Sequence, residues 1–150
     1  MKRGTLDELD LKILKALVEN GRLSARKLSE MLNVSVGTII KRIEKLEQDG
    51  IILGYTAIVN HEKLGYDLVS IIEVRVSQGK LLDVENQIAK LPNVYGVYDI
   101  TGDYDALIIA RFKSRKELDN FIKTLLAMPY VERTRTHFVL NVVKEDNRFI

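Results

Sequence analysis

The chain has no cysteine and no tryptophan, and only two prolines and two histidines in 150 residues. Without cysteine it can form no disulfide and hold no thiolate, either as nucleophile or as metal ligand. His61 and His137 are too far apart to supply zinc-ligand spacing, so no metal site is expected. The start, MKRGTLDELD, lacks an apolar signal region, and no apolar run reaches the roughly 18 to 20 residues that span a bilayer. An intracellular, cytoplasmic protein with no membrane partner is expected. Catalytic equipment is also missing: there is no Gly-x-Ser-x-Gly and no phosphate-cradling glycine loop, only scattered carboxylates. Enzymatic activity and a cofactor are therefore not expected. Charge of one sign is scarce too, since 23 Lys and Arg face 21 Asp and Glu for a formal net of +2. Such a balance says nothing about a partner; what matters for phosphate binding is where the cations sit.

What is present is a 46% hydrophobic fraction, enough for real cores, in two unlike patterns. Residues 1–53 carry helical periodicity. Leu6, Leu9, Ile13, Leu14 and Leu17 mark the stripe of a first helix, capped by Asp7 and stopped at Asn20-Gly21. Ser24 caps a second helix with Ala25, Leu28, Met31 and Leu32, and Ser35 caps a third that Gly50 ends. Residues 51–60, IILGYTAIVN, read as a strand, and residues 54–64 as a strand linker to a second domain at 65–150. There, strands are expected over 68–76, 94–101, 104–112 and 131–143, with helices over 81–91 and from Ser114 to Pro129. The order β-α-β-β-α-β corresponds to a ferredoxin-like sheet, so the fold class is α+β: a helix-turn-helix, winged-helix-like domain plus a ferredoxin-like βαββαβ domain.

The third helix is the first informative site. At about 100° per residue, Val36, Ile39, Ile40, Ile43 and Leu46 form its apolar sector. Gly37, Thr38, Lys41, Lys45 and Gln48 fall opposite, with Arg42 at the flank. Two helices joined by a short Asn-Val link, the second opening with small polar residues, match a helix-turn-helix whose second helix enters the major groove of double-stranded DNA. Small side chains at its front let the backbone approach base edges, and Lys41, Arg42 and Lys45 beyond them can reach phosphates or guanine. A solvated face balanced by Glu44 and Glu47 is the plainer account of one basic helix; the three-helix context favours DNA.

The second domain holds two more signals. Its strands are apolar on both faces: Leu68, Ile72, Val74 and Val76 oppose Val69 and Ile71, and Ala106, Ile108, Ala110 and Phe112 oppose Leu107 and Ile109. A sheet face left open in this way marks an interface, so a homodimer is expected. The dimer would present two recognition helices about 34 Å apart to a near-palindromic site. The segment DITGDYDALIIARF reads as strand, Gly-first hairpin turn and strand, crowded with Asp99, Asp103 and Asp105 around Tyr104 and with no local base. An ammonium group can find partners there. On the last strand Glu132, Thr134 and Thr136 share a face by period two. An RNA-recognition motif has the same element order, but the aliphatic third strand offers no aromatic platform for bases.

In order and spacing, LDELDLKILKALVENGRLSARKLSEMLNVSVGTIIKRIEKLEQDGIILGYTA resembles the Lrp/AsnC, or feast/famine, transcription regulators, and Leu64-Gly65 and the βαββαβ half continue the likeness. The resemblance implies a helix-turn-helix joined by a strand linker to an amino-acid-responsive module, assembled as dimers and often as larger closed rings such as tetramers or octamers. It implies DNA contacts at Ser35, Gly37, Thr38, Lys41 and Arg42. It also implies a small amino acid as effector, held by backbone groups of Gly102, Asp103 and Tyr104 with Asp105, Thr134 and Thr136. The extra carboxylates favour a basic or polar amino acid. An amino-acid-binding module that acts on a protein partner is the alternative.

Overall fold

The computed structural model describes residues 6–77 and 79–150. It divides into two compact units: the described residues up to Ile58 together with Lys144–Ile150, and Val59–Val143. The sequence pattern places the last seven residues in the second domain; in the structure they pack with the first.

The first unit is built on α1 (Glu8–Glu19), α2 (Ala25–Leu32) and α3 (Val36–Gln48). Each begins at the residue the sequence marks. Asp7 accepts from the Asp10 amide at 2.9 Å while Asp10 accepts from the Asp7 amide at 3.1 Å, a reciprocal box that satisfies two amides at the start of α1. Ser24 accepts from Lys27 N–H, and Ser35 from Thr38 N–H, both at 3.1 Å. Asn33 takes the left-handed conformation, φ 54°, that ends α2 and lets α3 start soon after. Ile13, Leu14, Leu17, Leu28, Ile39 and Leu46 form the core. Fully burying a side chain such as Ile13, Leu28 or Ile39 contributes about 1.5–3 kcal/mol. Two members of the expected apolar sector of α3 are not in that core: Val36 is 39% and Ile40 43% exposed. The expected strand at 51–60 is absent as well. Those residues run as coil, since among the described residues no strand lies alongside to complete a ladder, and a short 3-10 turn at Glu62–Leu64 follows.

The second unit is β1 (Leu68–Val76), α4 (Leu81–Ile88), β2 (Val94–Asp99), β3 (Ala106–Phe112), α5 (Arg115–Ala127) and β4 (Val131–Phe138). The strands form one antiparallel sheet in the order β2-β3-β1-β4. This is the expected ferredoxin-like arrangement. Ile72, Val74, Ala106, Ile108, Ala110 and Phe112 pack on Val84 and Ile88 of α4 and Leu118, Phe121 and Leu125 of α5, with Phe112 and Phe121 edge to face at 5.2 Å. The other face carries Ile71, Leu107 and Ile109, but Glu73, Arg75, Arg111, Arg133, Arg135 and His137 surround them. It is therefore an apolar strip in a charged field, not the uniformly apolar face expected.

Elements end earlier than the apolar runs suggest. Strand β4 stops at Phe138, one further bond from Val139 N–H to the Val69 carbonyl closes the ladder, and Leu140 and Val143 are almost fully exposed. The turn from β2 to β3 spans residues 100–105, closed by Ile100 N–H on the Asp105 carbonyl at 2.9 Å, so the two-residue hairpin expected at Gly102-Asp103 does not occur. Gly102 still has φ +120°, a backbone state that disfavours any side chain.

Candidate nucleic-acid interface and effector corner

The polar face of α3 is open. Lys41 and Lys45 are exposed, and neither makes an ion pair among the described residues, so Glu44 and Glu47 do not neutralise them directly. Glu47 instead accepts from the Tyr55 hydroxyl at 2.9 Å. Ser35 is exposed at the front of the helix, and its hydroxyl lies 2.8 Å from that of Thr38. At exposed Gly37 an added Cβ would meet no atom within 4 Å. Of the residues expected at a DNA interface, Ser35, Gly37, Thr38, Lys41 and Lys45 thus occupy the front and polar side of one helix.

Arg42 is the exception. Its Nη1 donates to Asp10 Oδ1 at 3.0 Å and also to Asp7 Oδ2, so one guanidinium bridges both carboxylates of the α1 box. The Asp10 side chain is only 6% exposed, which favours keeping its partner in place. Donation from the Asp10 amide and then from Arg42 holds the Asp7 carboxyl below its usual range, and the same carboxylates raise Arg42 above its own. Arg42 ties α3 to α1 instead of standing free for phosphate. The signal was legible in part: Asp-x-x-Asp opens the first helix, and Arg42 lies on the flank of α3, off its polar centre.

The residues expected to hold an effector are partly separated. Gly102 and Asp103 are exposed on the turn. Asp105 serves the sheet itself. Its Oδ2 accepts from Val76 N–H at 2.8 Å, and its own amide donates to the Val74 carbonyl at 3.0 Å. These bonds support the irregularity where β1 pairs with β4. There Arg75 lies opposite Arg133 but Val76 opposite Val131, leaving Glu132 out of the ladder. The bulge also takes Glu132 away from the threonine face expected of it. Its carboxylate instead meets Arg75 at 3.3 Å and the Ser77 hydroxyl at 3.2 Å. Thr134 and Thr136, opposite Val74 and Ile72, are half-buried on the helix side of the sheet. Tyr104 is 6% exposed, and its ring lies under Arg135 and Arg133, whose guanidinium carbons are 4.5 and 5.1 Å from its centroid. Strand alternation sends those arginines and the two threonines to opposite faces of β4. A base therefore does stand at the turn that the sequence presents as purely acidic, brought there from a strand about thirty residues away.

No metal-binding group of three or more acidic or histidine side chains, and no helix long and apolar enough to cross a membrane, occurs among the described residues.

Residues 69–149 match the Lrp/AsnC ligand binding domain, and residues 6–52 match a winged helix-turn-helix DNA-binding family. An uncharacterized HTH-type transcriptional regulator of Pyrococcus furiosus is 48% identical over 95% of this chain and 97% of its own length. The leucine-responsive regulatory protein of Haemophilus influenzae is 34% identical over 95% and 88%. Among solved structures, a transcriptional regulator of Neisseria meningitidis in complex with L-Met superposes with a TM-score of 0.88 at 32% identity, over 97% of each chain. E. coli AsnC gives 0.88 at 30% identity, over 95% of this chain and 97% of its own. With one family model matched over most of the first unit and the other over the βαββαβ sheet and beyond, and with relatives of this identity along nearly the whole length, the chain belongs to the Lrp/AsnC family of DNA-binding transcription regulators.

Proposed function

We propose that the chain is a cytoplasmic, sequence-specific regulator of transcription whose assembly or DNA affinity responds to a small amino acid. The observation that carries the DNA half is the exposed, unpaired Lys41 and Lys45 behind the small front of α3, in a unit that matches a DNA-binding family. The amino-acid half is supported by the match of the second unit to a ligand-binding family and by the L-Met complex of a relative. In this reading Ser35, Gly37 and Thr38 meet base edges and Lys41 and Lys45 meet phosphates, while the turn at Gly102 to Tyr104 takes the amino acid. The apolar strip of Ile71, Leu107 and Ile109 supports self-association into a homodimer, which a near-palindromic operator would match.

Selection of bound DNA from a random pool, repeated with each of the twenty amino acids, tests both halves. A recurring motif whose recovery changes with one amino acid is the expected result; recovery of no motif under any condition would overturn the DNA half. A protein-partner reading is favoured by one observation, the exposure of Val36 and Ile40 beside Lys41. It requires that any DNA affinity lack the steep salt dependence of phosphate binding.

A further inference from the structure

Around Tyr104 the second unit gathers more cation than its own acids occupy. Arg133 and Arg135 sit two residues apart on one face of β4, and Arg75 lies directly opposite Arg133 across the ladder. Like charges so placed repel each other. Two glutamates answer them incompletely. Glu132 pairs with Arg75 at 3.3 Å. Glu73 Oε2 is 3.5 Å from Arg135 but closer, 2.9 Å, to His137 Nε2. Arg133 forms no ion pair among the described residues, and its guanidinium rests on the Tyr104 ring. Tyr104 is itself 6% exposed, and its hydroxyl has no hydrogen-bond partner among the described residues. That hydroxyl is not among the buried atoms left without a partner, so it reaches the surface and is free to donate to a ligand. A surface-reaching hydroxyl, one unpaired guanidinium and a second that is only loosely paired thus converge on one corner. All three can donate to an oxyanion, and a guanidinium fork fits a planar carboxylate best.

We propose that Arg133, Arg135 and the Tyr104 hydroxyl form a carboxylate site that makes the second unit selective for an acidic amino acid. The inference rests on the amino-acid reading above and replaces the preference for a basic or polar ligand suggested by the carboxylates of the turn. One of those, Asp105, is occupied by Val76 N–H; Asp103, exposed next to Tyr104, remains for the ligand's ammonium. A ligand with two carboxylates and one ammonium matches this donor set in number and sign.

Calorimetric titration of the full-length protein with matched pairs, glutamate against glutamine and aspartate against asparagine, provides the test. At least one acid should bind roughly tenfold or more tightly than its amide, the equivalent of one charge-assisted bond. Arg133→Gln and Arg135→Gln should each remove most of that advantage. Tyr104→Phe, which keeps the ring, should remove a smaller part. Melting curves establish that the variants fold. Equal binding of acid and amide, or an acid preference untouched in both arginine variants, would overturn the inference while leaving the amino-acid response standing. Failure of all twenty amino acids to bind the wild-type chain would remove that response and this inference together.

Discussion

Arg42 donates to Asp10 across the helix bundle at 3.0 Å, and the same guanidinium also reaches Asp7, the N-cap of α1. The angle of α3 is thereby set by the start of α1, thirty-two residues earlier in the chain. For a helix that reads bases, orientation matters as much as chemistry, because hydrogen bonds to base edges tolerate little displacement.

Arg42→Gln is accordingly expected to lower the ratio of specific to non-specific DNA affinity while leaving the salt slope of binding unchanged. A phosphate contact behaves oppositely, with a uniform loss of affinity and a shallower slope. Anisotropy titrations at several salt concentrations separate the two. Asp7→Asn should also alter acid stability. The Asp7 carboxyl is held low in the folded state, so its contribution is complete above the ordinary aspartate value and is lost as pH falls through the folded one. Wild type and variant should therefore differ at neutral pH and converge in strong acid.

Lys41→Ala and Lys45→Ala should weaken binding to all sequences alike. Each should reduce the slope of log affinity against log salt by about 0.9, the counterion equivalent of one phosphate contact. Unchanged affinity and slope in both would remove these lysines from the interface.

Asp105→Ala should destabilise the second unit by about 1–3 kcal/mol, because the partly buried Val76 amide loses its acceptor at the bulge. Hydrogen exchange at the Val76 and Thr134 amides should report the loss locally. Chemical denaturation gives its size.

Glu85→Gln should stabilise the protein at neutral pH. Glu85 Oε1 is buried without a partner, and burial, followed by the charge of Asp99, pushes its carboxyl above the usual range. A carboxyl raised on folding is neutral in both states below its ordinary value, and stability falls as pH rises from there through the folded value. The amide substitution should match wild type in acid and exceed it at pH 7, as thermal melts across that range would show.

The elements of both units were legible because local chemistry specifies them. Asp7, Ser24, Ser35 and Ser114 each cap the helix that the apolar spacing announces, and the alternation in β1 and β3 sorts their residues to the faces observed. What could not be read were relationships between distant segments. Nothing within a few residues of Arg42 indicates that its partners are Asp7 and Asp10. Nothing near Gly102 shows that Arg133 and Arg135 will lie over Tyr104, because β4 comes alongside β1 only when the sheet forms. The strand expected at 51–60 failed for a related reason: alternating apolar residues state a preference, but a ladder needs a second strand.

The open space around Gly37 gives α3 an unusual latitude. A polar side chain, such as that of Asn or Arg, could start there without its Cβ crowding any neighbour, since an added Cβ meets nothing within 4 Å. Target preference could then be rewritten at one codon while Ile39 and Leu46 continue to anchor the same scaffold, so divergence of binding repertoire among descendants of this chain need not endanger its folding.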